Sequence, residues 1–112
     1  MEHLRIEQLL EFSTAKRIRK KLCGSEKIVA ELLCYEPGQA TPLHQHPQQD
    51  EVFYVLEGNG KIFIGEEEDI NPGSLIFVPA QTRHGMTAAN NSRLVILFFK
   101  APGSTLSGLP LP

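Results

Sequence analysis

Three things are scarce in this sequence: long apolar runs, basic residues in excess, and cysteine. No apolar stretch approaches the roughly 20 residues that a membrane-spanning helix needs. Lys and Arg number 11 against 13 Asp and Glu, a net charge of −2. That balance argues against nucleic acid as the main partner, because binding phosphate requires a basic face. Cys23 and Cys34 are too few for a disulfide framework, so a reduced, cytoplasmic setting is expected. Met1 to Leu10 carries Glu2, Glu7 and isolated leucines rather than the apolar core of a secretory signal. Internal repeats and low-complexity blocks are also absent. What remains is ordinary for a globular protein: 112 residues, 41% hydrophobic and 21% charged, enough for one domain with a real core.

The pattern along the chain is one short β-like run after another. Arg17 to Cys23 and Lys27 to Tyr35 flank a Gly24-Ser25-Glu26 turn and read as a hairpin. In that register Cys34 lies opposite the start of the first strand, too far from Cys23 for a disulfide. Val52–Leu56, Lys61–Ile64, Leu75–Val78 and Arg93–Phe99 follow, separated by Gly- and Pro-bearing turns. The acidic run Glu66 to Asp69 reads as the solvated tip of a hairpin. Short strands at this spacing predict an all-β sandwich or barrel over residues 16–101. Residues 1–15 form an N-terminal segment whose Leu4, Ile6, Leu9, Leu10 and Phe12 suit a short helix or turn. Residues 102–112 form a tail broken by Pro102, Pro110 and Pro112, with Leu106, Leu109 and Leu111 available to cover an apolar patch. The runs VFYVL, LIFV and LVILFF are apolar on both faces, so their outer faces must be covered as well. A homodimer is the expected cover, and the two terminal segments are the alternative.

Apart from His3 in the terminal segment, the histidines are His44, His46 and His84. On a strand, His44 and His46 would project from one face. Glu51 lies an odd five residues beyond His46. Pro47-Gln48-Gln49 must break the strand, however, and a loop there resets the parity so that Glu51 points inward with Phe53 and Val55. His84 follows the Pro79-to-Arg83 turn and can return past the first three. Taken singly, each of these residues is more often an ordinary core or surface side chain than a ligand.

The glycine frame around them changes that reading. GQATPLHQHPQQDEVFYVLEG, from Gly38 to Gly58, resembles the first motif of the cupin superfamily at Gly38, His44, His46, Glu51 and Gly58. GSLIFVPAQTRHGMTAANN, from Gly73, resembles the second at Gly73, Pro79 and His84. It departs from that motif at Gln81, where the motif has Gly, and at Ala88, where it has Asn; neither position is a metal ligand in the family. The resemblance implies an antiparallel jelly-roll β-barrel with one divalent metal inside, held by His44, His46, Glu51 and His84. It also makes Gly38, Gly58 and Gly73 turn positions and agrees with a dimer.

Three imidazoles and a carboxylate suit Fe, Mn, Ni, Cu or Zn. They leave two octahedral positions open and a formal charge of +1, which favours an anionic oxygen ligand. A metal-dependent enzyme is therefore expected, of dioxygenase type or a Lewis-acid isomerase or lyase, acting on a small polar or anionic molecule. The alternative is a non-catalytic ligand-binding or sensor barrel. Phe53, Val55, Phe63 and Met86 are the expected pocket residues, and Arg83 is read as a solvated side chain near the mouth. Gln49, Gln81 and Thr82 are near enough to His46 and His84 in sequence to fix ring tautomers. Glu51 is the only clear candidate for a general base, and the metal would occupy it. No catalytic residue is assigned.

Overall fold

The computed structural model describes residues 1–103. Among these the strands are β1 (Ile18–Gly24), β2 (Val29–Tyr35), β3 (Ala40–His44), β4 (Asp50–Gly58), β5 (Gly60–Ile64), β6 (Glu66–Ile70), β7 (Leu75–Val78), β8 (His84–Ala88) and β9 (Leu94–Ala101). They form a five-stranded sheet in the order β1-β2-β9-β4-β7 and a four-stranded sheet in the order β3-β8-β5-β6. Every pairing is antiparallel. β9 returns between β2 and β4, and β8 between β3 and β5. This interleaving is the double winding of a jelly-roll barrel, as the motif resemblance implied.

Alternation along each strand sets which side chains fill the barrel. In β4, Glu51, Phe53 and Val55 are buried while Asp50 and Tyr54 face out. The core joins Leu33 and Tyr35 of β2, Phe53 and Val55 of β4, Ile62 of β5, Met86 of β8, and Leu94, Ile96 and Phe98 of β9. Phe53 and Phe98, paired across β4 and β9, stack with centroids 5.2 Å apart. Burying a side chain of this size contributes about 1.5–3 kcal/mol. Gly58 closes β4 at φ +85°, where an added Cβ would lie 1.7 Å from the Arg93 carbonyl oxygen. Only glycine tolerates both that φ and that approach.

The first hairpin has the expected register: Ile18 pairs with Cys34 and Cys23 with Ala30, and both cysteines are free. The acidic run differs from its reading as a hairpin tip. Glu66–Ile70 is strand β6, the outer edge of the four-stranded sheet, pairing with β5 in unbroken register. Four successive acids have poor β propensity, but on an edge strand their side chains stay solvated, and Ile70 anchors the end in the core. Lys61 on β5 adds an ion pair to Glu67 at 2.9 Å.

The outer face of the five-stranded sheet is covered in part by the chain itself. Ile6, Leu9, Leu10 and Phe12 pack onto Leu32, Cys34 and Val95, with a 3-10 turn at Ile6–Gln8. Lys20 Nζ donates to the Leu9 carbonyl at 3.1 Å, and Gln39 Nε2 to the Ser13 carbonyl at 2.7 Å. Toward β4 and β7 this cover ends. Leu75 is 69% exposed and Phe77 61% exposed, beside Tyr54. The expected role of Leu106, Leu109 and Leu111 falls outside the described residues.

Candidate metal centre

His44 and His84 face each other across paired strands, at the last position of β3 and the first of β8. Gly85 lets the strands meet there, since a Cβ on it would lie 2.9 Å from the Thr41 carbonyl oxygen. His46 lies just past the end of β3 rather than on it, in the loop that also carries Pro47. That loop is held from two sides. The His46 carbonyl accepts from Gln81 N at 2.7 Å, and the buried Gln49 donates through Nε2 to the Pro102 carbonyl at 2.8 Å. Beyond it Glu51 enters β4 pointing inward, as the parity argument required.

One potential ligand atom from each of His44, His46, Glu51 and His84 lies within 4.8 Å of all the others. His84 Nε2 is 3.2 Å and His46 Nε2 3.3 Å from the same Glu51 Oε1. His84 Nε2 is buried yet makes no well-aligned hydrogen bond among the described residues. The opposite ring nitrogens explain why it is free. His44 Nδ1 bonds the Pro42 carbonyl at 2.8 Å, and His84 Nδ1 the Thr82 carbonyl at 2.9 Å. A carbonyl only accepts, so both Nδ1 atoms carry hydrogen and the Nε2 lone pairs face the cluster. Of the tautomer-fixing partners suggested by the sequence, Thr82 serves through its main chain. Gln49 and Gln81 bond backbone rather than rings.

Burial pushes the His46 imidazole down, against the opposing pull of Glu51. Burial also acts to lower His84, but the nearby Glu51 carboxylate and the Thr82 carbonyl outweigh it, and the net direction is up. The carboxylate that favours a proton on His84 would equally favour a cation. The donor set and the free Nε2 atoms fit one divalent transition ion.

The cluster opens into a cavity of about 160 Å³. Phe53 and Met86 line it, together with Leu33 and Phe98, which the sequence reading did not single out. Val55 lies elsewhere in the core. Phe63 is on the other face of β5, beside Leu43 and Arg83 in a separate surface depression. The register explains this: Ile62 pairs with Met86 and takes the inward position, while Phe63 pairs with Gly85. Arg17, Arg19 and Lys100 also line the cavity. Lys100 is 1% exposed, with its Nζ 2.8 Å from Glu31 Oε2. Arg19 holds the same carboxylate with two donors, at 2.7 and 3.1 Å. Burial alone would raise the Glu31 carboxyl, but Arg19 and Lys100 hold it below its ordinary value. The sequence signal for these residues was a charge at inward parity within an apolar strand, Glu31 in IVAELL and Lys100 after LVILFF.

The family model for the cupin domain matches residues 31–100, more than half of the chain. The chain belongs to the cupin family. The solved structure of TT1209 from Thermus thermophilus is 31% identical, with a TM-score of 0.86 over 91% of this cupin and 98% of that chain. Auxin-binding protein 5 of Zea mays is 38% identical over 56 residues, 50% of this chain and 37% of that protein. Acireductone dioxygenase of Exiguobacterium sibiricum is 36% identical over 56 residues, 45% of this chain and 31% of that protein. This cupin thus spans about a third of the length of these two curated relatives.

Proposed function

We propose that this cupin binds one divalent transition metal through His44, His46, Glu51 and His84 and is a metal-dependent enzyme acting on a small polar or anionic molecule. The carrying observation is that two buried imidazoles present Nε2 to one carboxylate oxygen, with a third ring in the same cluster. An ion held there would supply Lewis acidity for isomerase or lyase chemistry or, if it is iron, copper or nickel, redox chemistry of dioxygenase type. The protein's own part is positional. The Pro42 and Thr82 carbonyls orient His44 and His84, and Phe53, Met86, Leu33 and Phe98 restrict water around the ligand. The short similarity to acireductone dioxygenase supports this reading.

Protein purified without added metal should contain close to one transition ion per chain by elemental analysis. His46→Ala should lose it while the circular dichroism spectrum stays that of a β-protein. Protein that takes up none of several divalent ions on reconstitution would overturn the proposal. Metal identity after anaerobic purification separates oxygen chemistry from Lewis-acid chemistry.

The second reading is a small-ligand-binding barrel without turnover. It is favoured by the cavity's acid–base groups: Glu51 belongs to the cluster, and Glu31 is tied to Arg19 and Lys100. The similarity to an auxin-binding protein points the same way. We further propose a cytoplasmic homodimer. Among the described residues no helix is long and apolar enough to cross a membrane.

A further inference from the structure

The basic side chains on one wall of the cavity are not explained by metal binding. Arg17, Arg19 and Lys100 face two carboxylates, Glu31 and Glu51, so the site carries one net positive charge before any ion is counted. A divalent ion would raise that to three. Lys100 and two donors of Arg19 are spent on Glu31, which leaves the Arg19 Nη1 edge unengaged by that pair. Among the described residues Arg17 holds no carboxylate: its guanidinium lies by the buried Tyr35 hydroxyl, and its Nε is buried with no hydrogen-bond partner. A buried guanidinium donor without a partner is costly and suits an anionic one.

We propose that Arg17 and Arg19 form a carboxylate-binding wall, so that the cavity takes a small dicarboxylic or 2-oxo acid bridging the arginines and the metal cluster. The inference rests on the metal-binding reading above. One carboxylate of the ligand meets the guanidiniums, which hold carboxylates in a bidentate fork. A short carbon chain passes Leu33, Phe53, Met86 and Phe98, and the second oxygen-bearing end reaches the ion. The volume limits the size: about 160 Å³ equals roughly five water volumes, which admits an acid of a few carbons and excludes a nucleotide. Lys100 is a positioning residue, because it holds Glu31 and through it Arg19.

Isothermal titration of metal-loaded protein with malonate, succinate, 2-oxoglutarate and adipate tests this, with succinamide as the uncharged control. At least one acid should bind, and succinamide should not. Arg17→Gln should weaken binding at least tenfold, and Arg17→Lys should recover part of the loss, while elemental analysis still finds one metal per chain. Arg19→Gln should act in the same direction. Because Arg19 also holds Glu31, the Arg17 variants decide the matter if that protein fails to fold. No binding by any of the four acids, or equal affinity in Arg17→Gln, overturns the wall while leaving the metal site standing. Wild-type protein that cannot be loaded with metal overturns the metal-binding reading instead.

Discussion

Gln81 sits at φ 66° in the turn leading to His84, and its N–H ties that turn to the His46 carbonyl at 2.7 Å. The motif resembled by this segment has Gly there, and the backbone keeps the glycine-like conformation although the side chain has changed. A non-glycine residue in the left-handed region is strained by about 1 kcal/mol or more. Gln81→Gly should therefore be more stable than Gln81→Ala by about 1 kcal/mol, and Gln81→Val less stable than either. Urea denaturation of the three variants measures this. Equal midpoints would show that the turn relaxes and that Gln81 carries no strain. The tie to His46 runs through the Gln81 main-chain N–H, so these side-chain substitutions should leave metal stoichiometry unchanged.

At the scale of strands, β1, β2 and β9 are tied together by the half-exposed Arg19 and the buried Glu31 and Lys100. Removing Glu31 alone strands the buried Lys100, and breaking such a pair costs about 3–5 kcal/mol. Glu31→Leu should therefore destabilise the protein strongly, while adding Lys100→Met should recover much of the loss in a double-mutant cycle. The pH dependence has a definite sign. The Glu31 carboxyl is held below its unfolded value of 4.5, so its contribution is present above that pH and lost as pH falls through the lower native value. Thermal unfolding of the metal-free protein should lose midpoint on acidification below about pH 4.5, with a smaller slope in Glu31→Gln. An identical slope would remove Glu31 from the acid-sensitive set.

These strands also show what could be read beforehand. Apolar runs closed by Gly and Pro revealed β2 and β9, which are buried on both faces, and β4 and β7, whose outward apolar side chains stay partly exposed. The parity reset at Pro47 placed Glu51 correctly, since it depends on local geometry. β6 escaped notice because an edge strand can be built of acids. Ile62 rather than Phe63 faces inward because register with β8 decides it, and register is set across strands. The Arg19–Glu31–Lys100 cluster was hidden for the same reason: its members meet only after β9 has paired with β2.

Among the described residues, the outer face of the five-stranded sheet keeps an apolar area uncovered. The N-terminal segment packs onto Leu32, Cys34 and Val95, yet two rows of outward side chains continue past it: Phe77, Val52 and Phe99 in one, Leu75, Tyr54 and Leu97 in the other. β7 is also a sheet edge, where exposed apolar strands invite association. A second copy placed on these rows would bury them isologously, with β7 of each protomer near the two-fold axis. Sedimentation equilibrium should then give twice the 12.5 kDa chain mass. Leu75→Lys combined with Phe77→Lys should give the monomer mass, because like charges would meet across the axis. The cavity lies on the inner side of the sheet, so the monomeric variant should keep its metal. A monomeric wild type would show that these rows stay exposed or are covered by some other surface, and an unchanged dimer in the double variant would move the interface elsewhere.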